Sequence, residues 1–158
     1  MAFVTSGTPN LADFLTFAQA QGVPAGEIPA ANGTQFQPQW ALDDAIDRVI
    51  GQNTVAQSSQ VMRYVMAVYN LALHEWIMQG DDISPLTFFA TQRAKFNVFA
   101  FVPGVINSAG DQGTAGSITV PDSLKGLTLA DLELTKTPWG MRYAQYAQRY
   151  GPNIVVMV

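Results

Sequence analysis

The chain has no cysteine among its 158 residues and a single histidine, His74. Disulfides, thiolate catalysis and cysteine-held metals are thereby excluded. A two-histidine metal site is excluded as well: the zinc-protease pattern that His74-Glu75 suggests needs a second imidazole four residues on, and that position is Met78. Charge is also scarce, at 13% of residues against roughly 25% in an ordinary soluble domain. With 48% of residues apolar, so uncharged a surface is either rich in neutral polar groups or covered by other subunits, and the second is our expectation. No window reaches the roughly 18–20 consecutive apolar residues of a membrane span, so no membrane partner is expected. Met1-Ala2-Phe3-Val4-Thr5-Ser6 carries neither a basic region nor a signal-like apolar core, and the chain is expected to stay where it is made.

The few charges are unevenly spread. Residues 1–90 hold eight acidic and two basic side chains, a net of −6; residues 91–158 hold six basic and four acidic, a net of +2. An acidic first half disfavours a surface that grips a phosphate backbone.

Most of the chain has helical period. Thr8-Pro9, Ser84-Pro85 and Thr137-Pro138 each place a hydroxyl at an N-cap position with proline at the first helical one. Leu11, Phe14, Leu15 and Ala18 mark a first helix, closed by Gly22 and Pro24, and residues 23–37 read as a long surface loop. From Pro38, Leu42, Ile46, Val49 and Ile50 form one face while Asp43, Asp44 and Asp47 form the other, with Gly51 as the stop. The longest helix, about Ser58 to Gln79, is apolar nearly all round and is expected to be central. A fourth runs from Pro85 to about Phe96. Residues 97–106 and Ser117–Val120 read as short strands around a flexible tip at 107–117. Thr128 with Asp131 suggests a capping box for a short helix to Leu134, and a last helix spans about 138–149. The prediction is a mainly α fold: a bundle of about four helices over 1–96, a β-hairpin-like insertion or extended loop over 97–120, and C-terminal helices with an extended apolar arm over 121–158.

That arm is Ile154-Val155-Val156-Met157-Val158, placed after Gly151-Pro152. Five apolar side chains, each worth roughly 1.5–3 kcal/mol on full burial, must find a strand, groove or sheet edge to pair with. The last helix spaces Trp139, Tyr143, Tyr146 and Tyr150 by three or four, with Arg142 and Arg149 beside them. Such a stripe packs in a core, anchors a protein interface, or stacks on single-stranded nucleic acid. We take Trp139, Arg142, Tyr143, Tyr146, Arg149, Tyr150 and Ile154–Val158 as the candidate partner-binding set.

Catalytic chemistry finds no footing. His74 would sit in the core helix, out of reach of a catalytic triad. Gly110, Gly113 and Gly116 lack the Gly-Lys-Ser/Thr ending of a phosphate loop. Asp43, Asp44 and Asp47 have no companion metal ligands, and Asp81-Asp82 belongs to a turn. No catalytic residue, metal or cofactor is expected, and the protein is expected not to be an enzyme.

The leading segment NLADFLTFAQAQGV, the acidic helix WALDDAIDRVI and the long helix VMRYVMAVYNLALHEWI together resemble the head-to-tail connector adaptors of short-tailed bacteriophages. The closing stretch VPDSLKGLTLADLELTKTPWGMRYAQYAQRY is similar to the ends of small phage virion proteins of this kind. The hairpin over 97–120 departs from the simplest adaptors. The resemblance implies a structural virion protein at the head-tail junction, or neck, assembled in the host cytoplasm. It implies a homo-oligomeric ring, usually of twelve copies, below the portal protein, giving tail or nozzle proteins a platform. Double-stranded DNA would pass through unbound, with Asp43, Asp44 and Asp47 facing the channel, and the C-terminal arm would reach along the portal and add a strand to an exposed edge. Other readings are a different neck or tail ring protein, a small helical ligand-binding domain, and a nucleic-acid module using Arg142, Arg149 and the tyrosines.

Overall fold

Helix α3 (Val61–Gln79) is the axis of the molecule: every residue from Tyr64 to Ile77 except Met66 is buried. Around it stand α1 (Leu11–Ala20), α2 (Pro38–Gly51), α4 (Phe88–Lys95) and α6 (Pro138–Tyr150), with the short α5 (Leu129–Leu134) against α6. The structure, a computed structural model, describes residues 8–31, 33–51, 61–99, 108–111, 114–117 and 129–150, and among these it is mainly helical. None of the described helices is long and apolar enough to cross a membrane.

The centre of the core is aromatic. Phe14 of α1 lies 5.7 Å from Tyr69 and 5.9 Å from Trp76, and Trp76 lies 5.3 Å from Phe89 of α4, all tilted. Tilted rings meet edge against face, which favours their quadrupoles over flat stacking. From α2 come Ala41, Leu42, Ala45 and Val49, one helical stripe pressed on α3. From α6 come Trp139 and Tyr143, so the C-terminal helix shares the core of the first four helices.

The helix ends show where local chemistry overrode the proline junctions. Asn10, not Thr8, caps α1: its Oδ1 accepts from the Asp13 amide at 2.9 Å. The Tyr69 hydroxyl then bridges the Asn10 amide and carbonyl, at 3.2 and 3.3 Å, and pins this start to α3. Gly22, at φ +104, ends α1, with its amide on Gln19 and the Val23 amide on the Ala18 carbonyl. The stop expected at Gly22 is thus met by a glycine in the left-handed region.

Helix α4 begins at Phe88, three residues after Pro85. Its first amides are taken by carboxylates from elsewhere: Phe88 N–H donates to Glu27 at 3.0 Å, Phe89 and Ala90 to Asp82 at 2.7 and 3.0 Å. Negative groups at a helix N-terminus satisfy orphan donors and the dipole together, so Ser84 is not needed as a cap. Asp81-Asp82, expected to form a turn, is irregular backbone ahead of the turn at Ser84-Pro85, and Asp82 serves as an acceptor for the start of α4. Glu27, wholly buried, also accepts from the Ile83 amide at 2.7 Å. Residues 23–31 and 33–37 are a loop as expected, with one short 3-10 turn at Ala25–Glu27, but it packs inward at Val23, Glu27 and Gln37, which are buried.

The other departures lie beyond α4. Residues 97–99 form a turn where a strand was expected. Asn97 takes φ 52 and closes the helix, the Val98 amide reaching the Arg93 carbonyl at 3.0 Å. Asparagine tolerates this left-handed conformation and so stops the helix without extending into a strand. The observed ladder is Ser108–Asp111 (β1) antiparallel to Thr114–Ser117 (β2), with Asp111 opposite Thr114. It falls inside the segment expected to be a flexible tip.

Candidate functional site

Helix α6 is placed by its first residues. Thr137 is buried, its Oγ1 accepts the Gly140 amide at 3.0 Å, and Pro138 occupies the first helical position as the sequence predicts. The same hydroxyl lies 2.8 Å from His74 Nδ1, which ties the start of α6 to α3. Gly140 lets the elements meet: a methyl there would run into the Leu134 carbonyl and stand 2.9 Å from His74 Nδ1.

From this anchor the stripe of α6 divides. Trp139 is 9% exposed and Tyr143 3%; the indole stacks edge-on with Phe96 at 5.9 Å and donates to Gln21 Oε1 at 3.2 Å. Both rings were expected at a partner surface and belong to the core instead, because α6 packs along α3 and Phe96 and Gln21 close over the indole. Tyr146 is half-buried, while Arg142, Gln145 and Arg149 are exposed and line a shallow cleft with it. The Tyr150 side chain and Ile154–Val158 lie outside the described residues.

Helix α2 presents the opposite charge. Asp43, Asp44 and Asp47 are all exposed, as expected of a solvated acidic face. Gln39 donates to Asp43 at 2.6 Å, and Asp44 lies 3.5 Å from Arg48. Arg48 also pairs with the buried Glu75 of α3, to which Gln79 donates at 3.1 Å. Burial would lower the Arg48 pKa, but Glu75 and then Asp44 outweigh it and hold the guanidinium above its ordinary value. Trp40 stands 53% exposed on this polar face, its ring edge-on to Phe36 at 5.8 Å. Beside it a groove of about 460 Å³ runs between α2, α3 and α5, walled by Asp44, Arg48, Glu75 and Glu133.

Trp40 and Glu133 were missed in the sequence reading. A signal was there for Trp40, which falls three and four residues before Asp43 and Asp44 and so must share their face. Glu133 reaches the groove through tertiary packing alone. His74 is where expected, wholly buried, with burial and then the Arg48 charge lowering its pKa to about 4. Among the described residues its Nε2 has no partner, and solvent does not reach it. No group of three or more metal-ligating side chains occurs among the described residues. The chain matches no protein-family model, no curated protein and no solved structure.

Proposed function

We propose that this chain is a structural, non-enzymatic virion protein, a head-to-tail connector adaptor that assembles as a ring below a portal and carries tail components. One observation carries the reading. Helix α6 is locked by Thr137, Trp139 and Tyr143 into the core while its other side holds Arg142, Gln145 and Arg149 outward. A rigid helix whose exposed side is basic, on a chain of so little charge, suits a subunit built to meet other proteins. The acidic α2 supports the same reading: exposed Asp43 and Asp47 suit a channel wall that repels DNA phosphates and lets the duplex slide. In this reading the β1–β2 ladder belongs to an insertion over 97–120, and Ile154–Val158 is the arm that engages the portal. Another ring of the same neck or tail would use the same surfaces.

The test is docking. The full chain, mixed with a portal ring, is expected to cosediment as a second ring resolvable by electron microscopy, and failure on every portal offered refutes the adaptor reading. Removing Ile154–Val158 should abolish docking with helical circular dichroism unchanged. A truncated chain that docks normally removes the arm from the mechanism.

A further inference from the structure

We propose that the acidic groove beside Trp40 receives the basic side of α6 from a second copy of this chain, so that subunits join head to tail. The proposal deepens the adaptor reading by naming the contact from which its ring is built.

The groove has the chemistry that recognises a guanidinium. Trp40 stands 53% exposed at the rim, its ring perpendicular to that of Phe36. Asp44, exposed although 3.5 Å from Arg48 of the same wall, stands one turn further along α2, and Glu133 of α5 is exposed on the facing wall. An arginine fits such a place by stacking on the ring and sharing its donors between carboxylates, which a compact ammonium does less well. Arg48 does not fill this role, because it is held by Glu75 and Asp44.

The complementary feature is on the same chain. Arg142 and Arg149 are seven residues apart on α6, about two turns or ~10 Å along one side of the helix. The acidic groove and the basic helix side are different patches, so the contact is heterologous. Repeated contacts of that kind close into a ring or run on as a filament.

The experiment uses the full chain and two reversed variants, one carrying Arg142→Glu with Arg149→Glu, the other Asp44→Lys with Glu133→Lys. Self-association is read by sedimentation and native mass spectrometry. Wild type should associate at low ionic strength and come apart as it rises from about 0.01 M to about 1 M, where the screening length falls from ~30 Å to ~3 Å. Each variant alone should associate about ten-fold or more weakly. Mixed, they should recover assembly in alternating copies, because every junction then joins opposite charges. Trp40→Ala, whose indole is half in solvent, gives a second probe in a chain that keeps its fold and should weaken association likewise.

A wild type that stays monomeric at low salt, a mixture that fails to assemble, or reversed variants that associate like wild type would each overturn the contact. Rings that form on a portal regardless of the reversals overturn the contact and leave the adaptor reading standing. Recovery in the mixture without portal binding does the opposite.

Discussion

Acid should destabilise this protein through one side chain. His74 is the only histidine, so between pH 7 and 5 its imidazole dominates side-chain titration. In the fold its pKa is lowered from 6.5 to about 4, by burial first and by the Arg48 charge second. Protonation would put a cation beside that guanidinium, and Nε2 has no acceptor there. Because the folded pKa lies below the unfolded one, the unfolded chain binds more protons. Stability is therefore full above pH ~6.5 and is lost as pH falls toward ~4. At about 1.4 kcal/mol per pH unit the whole window is worth about 3 kcal/mol, of which about 2 kcal/mol falls between pH 7 and pH 5. Urea titrations should show the midpoint dropping by about 1 M between those two pH values, taking ~2 kcal/mol per molar for a domain this size. In His74→Leu that drop should vanish, although the variant is less stable at pH 7. A wild-type midpoint that is flat from pH 7 to 5, or a slope that survives in His74→Leu, would refute the burial argument.

Four further outcomes follow from the same geometry. Glu27→Ala should cost about 3 kcal/mol in chemical denaturation, because the Ile83 and Phe88 amides lose their acceptor at ~1–3 kcal/mol each, whereas Glu27→Gln keeps one acceptor oxygen and should cost less. Gly140→Ala should destabilise by ~3 kcal/mol or more and weaken the near-ultraviolet signal of Trp139, since the added methyl meets the Leu134 carbonyl; a neutral result would mean the corner has room. Glu75→Ala should lower stability by about 2 kcal/mol, less than for a sealed pair because the Arg48 side chain is 30% exposed, and thermal melting reads it. Trp40→Phe should shift stability by no more than ~0.5 kcal/mol yet remove most of the fluorescence that iodide quenches, Trp76 and Trp139 being buried.

The helices were legible because burial and periodicity agree in them. In α3 the apolar residues run nearly all round, which only a central helix tolerates, and α2 separates Leu42 and Val49 cleanly from its three aspartates. The ends were less legible, for a physical reason. Amides at a helix start accept any suitably placed oxygen, and for α4 these come from Glu27, sixty-one residues before Phe88, and from Asp82. No local motif records such a partner. The α6 stripe was legible as a stripe and ambiguous as a surface, since Trp139 and Tyr143 look the same in sequence whether they face a core or a partner. What decided it was Phe96 and Gln21, which only the fold brings to the indole. The groove was hidden for the same reason: Glu133 comes to line it beside Asp44 and Trp40 only once α5 has packed against α6.

The division of α6 into a buried and a basic side also bears on how the proposed subunit contact would distribute its energy. Arg142 and Arg149 ride on a helix fixed by Trp139 and Tyr143, so little backbone order remains to be lost on binding. Their charges, at an exposed rim, act mainly on encounter and register, and salt screens them. Affinity must then rest on desolvated contact, which in this groove means the indole of Trp40, a residue type that dominates interface hot spots. The two kinds of substitution should therefore separate in kinetics. Reversing Arg142 and Arg149 should slow association and invert its salt dependence, because like charges then face each other and salt screens their repulsion. Trp40→Ala should leave the association rate nearly unchanged and speed dissociation, because the ring contributes only once the groove is closed. If Trp40→Ala instead slowed association as strongly as charge reversal does, the indole would be acting in the encounter and the groove could not be where the contact gains its strength.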